Sequence, residues 1–145
     1  MDDRLWDRLV SRIVRDEKVE PDYAARIMDQ ALGFLMLCAK TGKSYSPSAA
    51  VDLGWHTFIL YTQDYLEFCN RLAGHFIHHA PMDEEGMDYG IPLDTVAAMK
   101  QLRIAVDDEL WLLGADGGST HRCHGDDCTN AGGGKLVAEL VTTGR

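Results

Sequence analysis

The chain has 145 residues, 46% of them hydrophobic, which is enough to bury one core and too few for two ordinary domains. Its 14 basic against 23 acidic residues give a formal net charge of -9, a field that repels polyanions and argues against nucleic acid or an anionic membrane as the main partner. No run of about eighteen apolar residues is present and the start, Met1-Asp2-Asp3-Arg4, is acidic where an export signal would be basic, so the sequence reads as a soluble cytoplasmic protein whose cysteines stay as thiols or bind metal.

In chain order, Leu5, Trp6, Leu9, Val10, Ile13 and Val14 recur at steps of three and four and predict an amphipathic helix from Asp2 to Glu17. Pro21 opens a second helix, ending near Gly42, that is apolar on several sides and therefore belongs in the middle of a bundle. Ser46 and Pro47 form a cap and first-turn pair for a third helix carrying Val51, Trp55, Phe58 and Ile59. Thr62 starts a fourth, with Tyr65, Leu66, Phe68, Cys69 and Leu72 on its stripe and Gly74 as its stop. Residues 76–81 read as an extended connector ahead of Pro81, and the acidic stretch from Asp83 to Asp88 as a solvated loop. Asp94 caps a last long helix that runs through Val96, Met99, Leu102, Val106, Leu110 and Trp111 and closes at Gly114. The fold class is all-α: a single compact bundle of about five helices over residues 1–114, followed by an irregular Gly/Cys/His-containing tail over 115–145 in which only Leu136 to Val141 could order.

Three clusters carry chemistry. Asp52 and His56 stand one helical turn apart, so the carboxylate can orient the imidazole or both can ligate one ion, although such pairs also occur as plain surface contacts. Gly74 to Pro81 holds three of the six histidines, His75, His78 and His79, within five positions. In an extended segment Phe76 and His78 share one face while His75, Ile77 and His79 share the other, and His78 or His79 could reach His56. The third cluster, His121 to Cys128, offers Cys123 and Cys128 with one histidine as a zinc-type donor set that would order the tail; a disulfide or free thiols are the alternatives. Cys69 lies on the apolar stripe of the fourth helix and could face His56 or His79.

The residues Val51-Asp52-Leu53-Gly54-Trp55-His56-Thr57, followed by Tyr65, Phe68-Cys69, Gly74 and Phe76 to Pro81, resemble the pattern of the glycine-rich domain-containing protein-like family, over roughly residues 20 to 114. The resemblance implies a helical domain rather than a reaction, and its pattern falls on Asp52, Trp55, His56, Tyr65, Cys69 and His79. Phe58 stands where many members of that family carry a further histidine, and the glycine-rich tail is reduced to Gly132-Gly133-Gly134.

Three functions compete. The first is a small helical metal-binding protein using His56, His79 and Cys69, with Asp52 and the tail thiols Cys123 and Cys128 as further donors. Its cofactor is zinc or another transition metal, and the site is catalytic if a coordination position stays open. The second is a non-enzymatic module that binds a protein partner through its acidic surface. The third is a metal-independent enzyme with His56 as general base, Asp52 orienting it and Tyr65 or Cys69 beside it, acting on a small molecule the sequence does not name. No GxSxG, P-loop, GxGxxG or HExxH pattern supports hydrolase, nucleotide or dinucleotide chemistry.

Overall fold

The structure is a computed structural model and describes residues 1–80 and 91–112. Helix α1 spans Asp3–Glu17. Asp2 caps it, its Oδ1 accepting the Leu5 N–H at 2.7 Å, and Lys18 ends it in the left-handed region at φ 54°. The predicted stripe is the buried one, with Leu5, Leu9 and Ile13 in the core.

Helix α2, Pro21–Thr41, begins with its proline and ends at Gly42, whose φ of 65° suits a residue without a side chain. It runs through the middle of the bundle, and α1, α3, α4 and α5 all pack on it. Its apolar girth explains the placement: Ile27, Met28, Phe34, Leu35 and Leu37 are buried in different directions.

Helix α3 is Ala49–Ile59 and α4 is Thr62–Ala73, closed by Gly74 at φ 76°. The cap of α3 is Ser48, not Ser46. Ser48 Oγ accepts the Val51 N–H at 3.3 Å and donates to the Leu110 carbonyl at 2.7 Å, while Ser46 serves as an anchor, its carbonyl accepting from Thr95 Oγ1 at 2.8 Å. At Gly54, α3 packs tightly against α2. A Cβ there would lie 2.9 Å from Ala31 Cβ and 3.0 Å from the Ile27 carbonyl oxygen, so only glycine permits this approach.

The single long helix expected after Asp94 is two: α5, Leu93–Gln101, and α6, Asp108–Leu112. Asp94 sits inside the first turn of α5, and Pro92 occupies the cap position without a side-chain bond. The break is enforced by polar side chains buried on α2. Arg26 grips Asp107 with two hydrogen bonds, at 2.6 and 2.9 Å, and Glu109 at 2.6 Å. Gln30 donates to the Ala105 carbonyl at 3.3 Å and accepts from the Asp107 N–H at 3.1 Å and from Trp111 Nε1 at 2.7 Å. Backbone groups claimed by a side chain cannot complete a helical ladder, and Arg103 turns into the left-handed region at φ 58° where the helix stops.

Among the described residues the fold is therefore all-α, with six helices rather than five, and no helix is long and apolar enough to cross a membrane. The acidic stretch from Asp83 to Asp88 and the tail of residues 115–145, with Cys123 and Cys128, lie outside the described residues.

Candidate metal centre

The helical repeat places Asp52 and His56 on one face of α3, and the connector leaving α4 returns over that face. His79 Nε2 meets Asp52 Oδ1 at 2.7 Å, and His56 Nδ1 meets Asp52 Oδ2 at 3.1 Å. One carboxylate thus joins two imidazoles whose ring centres are 4.2 Å apart. A donor atom from each of the three residues lies within 4.8 Å of the other two. The Asp52 side chain is 7% exposed and that of His79 10%, whereas His56 is 53% exposed, so the group is closed on the core side and open on the other. The open side adjoins a shallow cleft of about 390 Å³ between α1 and α3, whose walls include Arg12, Asp16, Glu17 and Thr57.

Behind the group stand Trp55 and Tyr65. Trp55 presents its ring to His79 in an edge contact, centres 4.4 Å apart, and its Nε1 donates to Tyr65 Oη at 2.8 Å. Tyr65 Oη in turn donates to the Ile77 carbonyl at 2.7 Å. Burial holds the Tyr65 phenol well above its usual pKa, so it remains a neutral donor. Cys69 is fully buried beside the Tyr65 hydroxyl and is not part of the three-residue group.

Of the histidine-rich connector only His79 joins the group. His78 meets Phe76 edge-on, centres 4.8 Å apart, on the alternate face, and exposed His75 bonds the Ala73 carbonyl at 3.1 Å. Four residues that shape the site were not singled out by the sequence. Gly54 sets the depth of α3, and Arg12, Asp16 and Glu17 reach the cleft from a helix more than thirty residues upstream of His56.

Two imidazole nitrogens and a carboxylate oxygen are a donor set suited to a divalent transition ion; both zinc and non-haem iron sites use it with positions left open. The residues present therefore fit such an ion. To ligate the ion through the nitrogen that now meets Asp52, His79 would give up that contact and carry its ring proton on the other nitrogen.

Fold and site together define an all-helical protein with a carboxylate and two imidazoles gathered where a connector crosses a helix. A family model, UCP032817-like, matches residues 3–89, and the chain belongs to that family. The match takes in α1 to α4 and the connector, hence Asp52, His56 and His79. It overturns the resemblance to the glycine-rich domain-containing protein-like family. That resemblance rested on Val51 to Thr57 with Tyr65, Phe68-Cys69, Gly74 and Phe76 to Pro81, all of which lie within the residues the family model matches. No curated protein and no solved structure matches the chain.

Proposed function

We propose that this protein binds a divalent transition metal ion, zinc in the first instance, through Asp52, His56 and His79. The observation that carries the reading is the convergence of three donors within 4.8 Å from two separate segments, around a buried carboxylate. Three protein donors leave a tetrahedral ion one position for an outside ligand, which here would face the cleft beside His56. When bound, such an ion supplies Lewis acidity and an activated water. Asp52 would bridge the two segments, His56 would guard the open side, and the cleft would admit a small molecule. Cys38 and Cys69 are free thiols, which suits a cytoplasmic setting.

A second reading has one specific observation in its favour. With Nδ1 of His56 tied to Asp52, its Nε2 is left to accept a proton at an exposed position, the geometry of a general base held by a carboxylate. Elemental analysis of protein purified without nickel or chelator separates the two. About one equivalent of metal, lost in His56→Ala and His79→Ala variants that still fold, supports the first reading; a metal-free protein unable to take up added zinc refutes it.

A further inference from the structure

Residues 76–80 run without helix or strand, yet they deliver the imidazole that completes the donor group. We infer that Tyr65 is the positioning residue of this centre: its hydroxyl, fixed by Trp55, clamps the Ile77 carbonyl and so sets the place from which His79 reaches Asp52. The inference rests on the metal reading for its affinity readout but makes a separate claim about the connector.

The distances define a closed circuit. Trp55 on α3 donates to Tyr65 on α4 at 2.8 Å, and Tyr65 donates to Ile77 in the connector at 2.7 Å. Ile77 and His79 share a face of the extended segment, so fixing one aims the other. His79 then closes the circuit on α3, touching the Trp55 ring edge-on at 4.4 Å and Asp52 at 2.7 Å. Phe76 adds an apolar hold, its ring edge-on to Tyr65 with centres 5.2 Å apart. Tyr65 is fully buried and its oxygen is engaged on both sides, so it touches neither the open cleft nor the donor group. Its role is therefore exerted through His79, in the way outer partners of metal ligands orient them.

Tyr65→Phe removes the oxygen and keeps the ring packed between Phe58 and Phe76. Zinc affinity, measured by competition with a chromophoric chelator, is expected to fall about 10- to 100-fold. In the metal-free protein the backbone amides of residues 76–80 should exchange faster with solvent. Leu9→Ala, a core change in α1, serves as a stability control and should leave both readouts unmoved. Should Tyr65→Phe fail to fold, Trp55→Phe removes the other donor of the relay and should shift affinity and exchange in the same direction. Unchanged connector exchange in the folded variant overturns the inference, whether or not zinc binds. A wild-type protein that takes up no zinc, with faster connector exchange in Tyr65→Phe, keeps the positioning role and discards only the metal reading.

Discussion

His79 Nε2 lies 2.7 Å from Asp52 Oδ1, although the two are 27 positions apart along the chain. Neither side chain could be held there by its own segment. The contact exists because the Gly54 surface lets α3 sink against α2 and because α4 turns the connector back across α3. For the donor group, removing the connector ligand should matter more than removing the exposed one. His79→Ala is expected to lower zinc affinity at least 100-fold, and His56→Ala somewhat less, because a water can replace the ligand on the open side. Calorimetric titration of both variants checks this order.

Gly54→Ala tests the seat of the site. A methyl group 2.9 Å from Ala31 Cβ and 3.0 Å from backbone must push α3 away from α2. Overpacking of this kind costs about 1–3 kcal/mol, read as a lower midpoint in urea unfolding. Zinc affinity should drop along with stability, since Asp52 and His56 move with the helix.

Gln30 is 1% exposed, and its side chain serves two backbone groups of the segment between α5 and α6 and the Trp111 indole of α6. Gln30→Ala leaves the Asp107 N–H, the Trp111 indole N–H and the Ala105 carbonyl without that partner. The expected loss is about 2–3 kcal/mol, because buried polar groups deprived of partners are costly. Denaturant unfolding should show it as a lower midpoint.

Asp29 gives a pH signature. Burial pushes its carboxyl from the ordinary 3.8 up to about 7, helped by the nearby charge of Asp107 and opposed by a hydrogen bond from Gln30. Between about pH 4 and pH 7 the folded chain holds this proton and the unfolded chain does not. Stability attributable to this group therefore falls as pH rises through that window and is level above it. Asp29→Asn should remove this component of the slope, so that the variant gains on the wild type in melting temperature between pH 5 and pH 8.

The helical architecture was legible because α1 and α2 write their burial into spacing: Leu5, Leu9 and Ile13 on one stripe, and apolar residues around the whole of α2. The pairing of Asp52 with His56 was equally open to reading, since one helical turn fixes it. What spacing could not show was long-range polar control. Arg26 and Gln30 lie in α2 among apolar neighbours, and only their partners at 105–111 reveal that they interrupt what would otherwise be one long helix. The same limit applied to the connector. Alternation separated His78 from His79, but the choice between them was made by Tyr65 and Trp55, whose hydrogen bonds join three segments. The family resemblance, read from spacings between residues 51 and 81, gave way to the family match over residues 3–89.

The most direct measurement is an anomalous difference map, collected at the zinc edge, from crystals of the protein grown with one equivalent of zinc. A single strong peak about 2.0–2.2 Å from donor atoms of Asp52, His56 and His79 is the predicted result. Zinc bound elsewhere, with Asp52 still hydrogen-bonded to His79 and beside His56, would contradict the account.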